Sequence, residues 1–467
     1  MTDIIYPTLD LFLYDLRNAL GEGRDEFQKN RDFFLKKLPE EIHEVLFQKD
    51  TNFEDEYVEL LTKPNIFKFS SNSKSDPFEG YYYPVRLSDT YGLLLQCSVN
   101  NQTEAQPAKC FKELKAEIEQ RLNGQTATIG QTWMVSGWLP HPEAKTPEDI
   151  AKDCYKALMP GSKWEQDIEG QGQFLDATIF ELSRYRLVMK EGTTSQTSIQ
   201  NIQENQHVII IIYPDEATAR ESARFYADWM RLFSYRHKIL WAYGQSRFLK
   251  QTIKNYFTAI EEDRQSINPN QSKYREFEKF RKTLIGVQDA LNHYTIELNK
   301  LDFQGRTIDI NLSNYKKRLE RIEKKAKIEK KAKTELNFLE EFAKLVEEKY
   351  QHQITKDLEN LERGMRLLEN TMTAVRNRVE VDKAERDRNF QDTVAVIAVG
   401  WSVGSFVASL RDLGKAKDDP VRLMLSNSPL VPKAWIEPAI PLMYTLGVAI
   451  AAAALTWLVR QLWSRSR

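Results

Sequence analysis

Two runs near the C-terminal end constrain this sequence most: Thr393–Leu410 and Ala439–Val459, 18 and 21 residues without one ionisable side chain. A bilayer core about 30 Å thick takes about 20 apolar residues in helical form, so both runs have the length to cross it. They predict a hairpin of two transmembrane helices, 392–410 and 439–459, joined by a loop, 411–438, and followed by a basic tail, 460–467. Eight Lys or Arg flank the pair (Arg376, Arg378, Lys383, Arg386 and Arg388 before it; Arg460, Arg465 and Arg467 after it), against five in the loop. That excess places both termini on the cytoplasmic side of a cell membrane, and Trp435, Trp457 and Trp463 suit the interfacial belt. Gly400, Gly404 and Ala408, four apart on one helical face, would let a second helix approach closely, either the other span or a neighbouring subunit around a pore. No charged side chain lies in either run to serve a proton relay.

The rest of the chain is that of a water-soluble protein. Basic and acidic residues nearly cancel, 66 against 67, so no global field steers nucleic acid, and any charge argument is local. Cys97, Cys110 and Cys154 form no CxxC pair, which points to reduced thiols facing a cytosol-like compartment. The opening residues carry Asp3, Asp10 and Asp15 in place of the basic start of a secretory leader. Leu9, Leu11, Phe12, Leu16 and Leu20 read as an amphipathic or buried first helix.

Between Pro269 and Pro420 there is no proline, and from Asn314 to Gln391 the only glycine is Gly364, which predicts very long helices. Ile354, Leu358, Leu361, Met365, Leu368, Met372, Val375 and Val379 repeat in steps of four and three, the heptad seam of a coiled coil, and predict a stem over 313–391 that assembles a homo-oligomer. Ala332, Leu336, Leu339, Ala343, Val346 and Tyr350 keep the rhythm, and the further step of four to Ile354 is a stutter. Either the stem is one helix, with Lys325 about 100 Å from the membrane, or the chain reverses near Gln351, His352 and Gln353. The choice bears on Tyr315–Lys333, which holds ten Lys or Arg against three Glu. Lys316, Lys317, Arg318, Arg321, Lys324 and Lys325 are candidate contacts for anionic lipid or a protein partner; near a bilayer each basic residue adds about 1 kcal/mol. With Tyr315 as its only aromatic residue, the run has nothing further to stack on bases.

The first 213 residues predict an α/β domain. Gly23–Gln48, Asp55–Thr62 and Glu104–Leu122 have helical spacing, and Thr146–Leu158 opens with Thr146 as a cap and Pro147 in the first turn. Gly80–Asn100 predicts two strands around Ser88 and Asp89; Thr126–Leu139, Gln173–Leu187 and His207–Pro214 add three, for about five in all. Val208–Ile212 is apolar without alternation, the pattern of a strand buried on both faces. Residues 214–312 predict a helical domain packed on the sheet, rich in aromatics such as Phe225, Trp229, Phe233 and Trp241. The fold class expected is thus α+β and helix-dominated: an α/β domain, a coiled-coil stem and a two-helix transmembrane hairpin.

No reaction chemistry stands out. The six histidines are scattered, with no HExxH and no cysteine at zinc-ligand spacing, so neither a metal nor a cofactor is expected. Gly170 and Gly172 match neither a dinucleotide fingerprint nor a phosphate loop, and no GxSxG elbow is present. The order of parts, with Ala408, Ser409, Leu410, Arg411 and Asp412 at the outer end of the first run, resembles CorA-type divalent-cation channels in architecture. Those channels carry Gly-Met-Asn at that place. The resemblance implies an oligomer whose stem and small-residue span assemble around an axis. The expected function is a membrane-anchored sensor or scaffold, with a CorA-like channel lacking the usual selectivity motif as the alternative, and a membrane-tethered enzyme as a second.

Overall fold

The computed structural model describes residues 3–18, 24–46, 55–69, 77–101, 103–140, 146–187, 203–265, 273–330 and 333–383. The two apolar runs, with Gly400, Gly404 and Ala408, lie outside these residues. Among the described residues no helix is long and apolar enough to cross a membrane, so the expected transmembrane hairpin is not part of the observed fold. Two compact units are present: Met1–Phe248 with Leu301–Asp357, and Leu249–Lys300 with Leu358–Arg467.

The first unit is built on one mixed sheet of ten strands, where about five were expected. The strands are β1 (Asp3–Leu16), β2 (Tyr57–Glu59), β3 (Phe67–Phe69), β4 (Phe78–Leu87), β5 (Thr90–Val99), β6 (Ala105–Pro107), β7 (Gly130–Trp138), β8 (Ile168–Phe174), β9 (Ala177–Leu187) and β10 (Gln203–Tyr213). Eight of them run in the order β2-β4-β5-β1-β7-β10-β9-β8, with β3 added on β4 and β6 on β1. Only β7 and β10 pair in parallel among the described strands. β1, expected as a helix, is a central strand because Leu9, Leu11 and Leu13 alternate with Asp10, Phe12 and Tyr14, one set per face. The expected helix at Asp55–Thr62 is likewise replaced by β2.

Helices cover both faces. α1 (Arg24–Leu35), the one-turn α2 (His43–Leu46), α3 (Cys110–Arg121) and α4 (Pro147–Leu158) bring Phe34, Leu46, Phe111, Leu114, Ile150 and Leu158 into a core with Leu9, Leu11 and Leu13. Each such side chain contributes about 1.5–3 kcal/mol on full burial. Thr146 caps α4, its hydroxyl accepting from the Asp149 amide at 3.2 Å. The three cysteines are buried free thiols, and burial pushes Cys97 and Cys110 up to about 12. A short α5 (Trp164–Asp167) leads into β8. On the other face, α6 (Glu216–Ser222) precedes α7 (Tyr226–Gln265), whose Phe233 meets Phe12 edge-on at 5.2 Å. The Tyr14 hydroxyl donates to the Met230 carbonyl at 2.8 Å.

The expected stem is also corrected. α8 (Lys273–Lys330) is followed by a reversal before Asn337, then α9 (Glu340–Leu345), a π-helical stretch (Val346–Gln351) and α10 (His352–Lys383). The chain therefore folds back, as in the hairpin alternative, but about fifteen residues before Gln351–Gln353. Glu323 meets Leu336, Tyr315 meets Leu339, Asp309 meets Gln351 and Gly305 faces Ile354, so α8 and the returning segment run antiparallel. The π-helix coincides with the stutter: its wider turn keeps Val346, Tyr350 and Ile354, four apart, buried on one side.

In the second unit the heptad seam is buried within the chain itself. Leu361, Met365, Leu368 and Met372 are buried and Leu358 is half-buried, while the side chains of Val375 and Val379 lie outside the description. Tyr294 of α8 donates its hydroxyl to the Leu361 carbonyl at 2.6 Å. Gly364 makes room for it, since a Cβ there would stand 2.9 Å from that hydroxyl.

Candidate functional site

Residues 315–330 of the basic run form the C-terminal end of α8, and Lys333 lies in the segment that follows it. Helical periodicity sorts its side chains: Tyr315, Leu319, Ile322 and Ala326 are buried, and most of the cations point outward. Lys317, Arg321, Lys324 and Lys325 line a shallow open cleft of about 400 Å³ with Glu320 and Ile328. Four cations there face one carboxylate. Ile328 is 82% exposed, which sets an apolar side chain one turn beyond Lys324 and Lys325. Lys324 reaches Glu320 at 2.6 Å and holds its carboxyl below the usual range. Exposed pairs of this kind are worth little and are screened by salt, so this one leaves Lys324 available to a multivalent anion.

The six basic positions singled out in the sequence divide in two. Lys317, Arg321, Lys324 and Lys325 come together at the cleft, whereas Lys316 is drawn to Glu347 at 2.5 Å and Arg318 to the buried Asp228 at 3.0 Å. Lys325 serves both roles: it reaches Asp228 at 3.2 Å, donates to the Arg224 carbonyl at 2.9 Å and lies over the Phe225 ring. The root of the basic face is thereby fixed to α7, and its tip is left to solvent.

Two polar clusters, both missed by spacing arguments, lie between the sheet and α7. In the first, Thr132 of β7 sits between His207 of β10, at 2.8 Å, and His237 of α7, at 2.7 Å; His207 in turn meets Glu181 of β9 at 3.0 Å. Burial, then Arg236, pushes both imidazoles well below their usual range, so both are neutral. One consistent proton arrangement follows. His237 Nε2–H donates to Thr132, the hydroxyl donates to His207 Nδ1, and His207 Nε2–H donates to Glu181. Arg236 adds a 3.1 Å bond to Ser183 and a 3.6 Å approach to Glu181. Gly130 is required here, because a Cβ would fall 2.5 Å from His237 Nδ1. The residue types are those of an acid–imidazole–hydroxyl relay. Every member is at most 2% exposed, and the arrangement fastens the helix to the sheet rather than meeting a substrate.

The second cluster centres on Asp10. Tyr81, Gln96, Asp10 and Met134 are successive cross-strand neighbours on β4, β5, β1 and β7. The next row holds Ser98, Thr8 and Ser136, three small hydroxyl side chains. Thr8 and Ser98 bond at 3.0 Å, and Gln96 donates to Ser98 at 2.7 Å. Tyr226, the first residue of α7, donates to Asp10 Oδ2 at 2.7 Å; Oδ1 is buried without a hydrogen-bond partner among the described residues. Burial raises the Asp10 carboxyl to about 7, against the opposing effect of the Tyr226 bond. An unsatisfied buried acceptor costs about 1–3 kcal/mol, and so calls for an explanation.

Among the described residues no group of three or more His, Cys, Asp and Glu could hold a metal ion. No family model matches this sequence, and no curated protein or solved structure is significantly similar to it. The CorA-type resemblance therefore gains no support from a relative and rests on the order of parts.

Proposed function

We propose that this chain is a membrane-tethered sensor or scaffold whose α8 meets the anionic surface of a bilayer. The observation that carries this reading is the exposed basic face of α8, with the exposed Ile328 at its C-terminal end, in a chain that also holds two uncharged apolar runs. The apolar runs provide attachment, because such sequences prefer hydrocarbon to water. The cleft provides selectivity for anionic headgroups, each cation near the surface adding about 1 kcal/mol. Ile328 is placed to enter the interfacial region beside them. The sheet domain, with helices on both faces, is the part free to bind a ligand or partner.

The test uses the full chain reconstituted in vesicles of phosphatidylcholine alone or with phosphatidylserine, with photo-crosslinkable headgroups. Crosslinks to α8 between Lys316 and Ile328 should appear with the anionic lipid, weaken as salt rises, and disappear in the variant carrying Lys317→Glu, Arg321→Glu and Lys324→Glu. Equal crosslinking in neutral and anionic vesicles would reject the docking role.

A further inference from the structure

The Asp10 cluster has the parts of a recognition site. Its floor is a row of small hydroxyl side chains, Thr8, Ser98 and Ser136, two residues along the strands from Asp10 and on the same sheet face. Its wall is Asp10, with one oxygen held by Tyr226 and the other, Oδ1, buried without a hydrogen-bond partner among the described residues. Its rim is aromatic: Tyr6 and Trp138, 5.6 Å apart between ring centres, and Tyr81 are only half-buried. Tyr6 stands at φ 47° beside a bulge where the pairing of β1 with β7 shifts register, and its hydroxyl donates to Glu79 at 2.9 Å. Non-glycine residues take that conformation at a cost, and bulges that re-aim a side chain gather beside functional sites.

We propose that Asp10 and the aromatic rim around it bind a small organic ammonium ion that carries at least one N–H. The unpartnered carboxylate oxygen accepts the N–H, the faces of the half-buried rim rings stabilise the positive charge, and the small hydroxyl side chains of the floor are what a short substituent on the ligand would meet. Selectivity against anions and neutral molecules follows from the same groups. The charged or titratable groups facing Asp10 are Tyr226 from α7, Tyr81 from β4, Tyr213 from β10 and Tyr6 from β1, with Glu79 behind Tyr6. No Lys or Arg is ion-paired with Asp10 among the described residues, so a bound cation meets no competitor. Because the carboxyl titrates near neutrality, the ligand and a proton compete for it, and binding strengthens as pH rises. This site is independent of the basic face of α8, and its test needs no lipid.

The experiment is calorimetric titration of the full chain in detergent with propylammonium, with propanol as the uncharged shape control and tetramethylammonium as the cation lacking an N–H. Propylammonium should bind saturably, strengthen between about pH 6 and pH 8, and bind about tenfold more tightly than either control. Asp10→Asn, close to isosteric, should weaken it by about the same factor, with the thermal unfolding of the variant recorded to show that it folds. Saturable binding undiminished in a folded Asp10→Asn variant, or no saturable binding to the parent chain, would overturn the proposal. Neither result bears on whether α8 docks on lipid.

Discussion

Replacing Lys37 by methionine leaves the Asp15 carboxylate buried without its cation. The two side chains are fully enclosed at 2.9 Å, Asp15 also accepts from the Thr128 amide, and Lys37 lies over the Phe33 ring. Burial pushes the Lys37 ammonium below its usual range while Asp15 opposes that shift, so the pair stands or falls together. Lys37→Met should lower unfolding stability by about 3–5 kcal/mol in a denaturant titration, and the double variant Lys37→Met with Asp15→Leu should recover most of that loss. A double variant no better than the single one would show that the ion pair itself stabilises the fold. None of these buried polar residues was legible as a partner in the sequence. The segment from Leu9 to Leu16 fits both a helix, by Leu9, Phe12 and Leu16, and a strand, by Leu9, Leu11 and Leu13. Only the strand reading would have set Asp10 on the face opposite the leucines, and its partners come from four other elements far apart in the chain.

The elements that were legible are those whose signal is local. Thr146 and Pro147 announced α4, the apolar run Val208–Ile212 announced a buried interior strand, and the basic run was visible because a single helix carries it as far as Lys330. The reversal after α8 was not, because it is held by tertiary contacts rather than by Gly or Pro. The amide of Glu335 donates to the Gln173 carbonyl at 2.8 Å, that of Leu175 to the Thr334 hydroxyl at 3.1 Å, and that of Lys333 to the Asp176 carboxylate at 2.7 Å. The returning segment thus adds on to the hairpin of β8 and β9. Gly172 permits the approach: a Cβ there would lie 2.3 Å from the Glu335 carbonyl oxygen and 2.8 Å from the Phe338 ring. Gly172→Ala is therefore expected to cost about 3 kcal/mol and to expose the 333–339 segment to protease. Unchanged stability would mean that this docking contributes nothing to the fold. The heptad seam, read as a face for other copies of the chain, is consumed inside the chain at Leu361, Met365, Leu368 and Met372, because period alone does not say whose helix fills it.

Taken whole, the molecule joins a ten-stranded sheet domain, a basic helical face and two uncharged apolar runs in one chain. The first two are described by the structure, and the third is a property of the sequence. The membrane attachment proposed above would connect them, giving the apolar runs hydrocarbon and the basic face an anionic surface. The most direct measurement is fractionation of the full-length chain after gentle lysis without detergent. The chain is expected to sediment with membranes, to resist extraction by high salt and by alkaline carbonate, and to be released by detergent. A full-length chain that stays in the soluble fraction, free of aggregation, would contradict it.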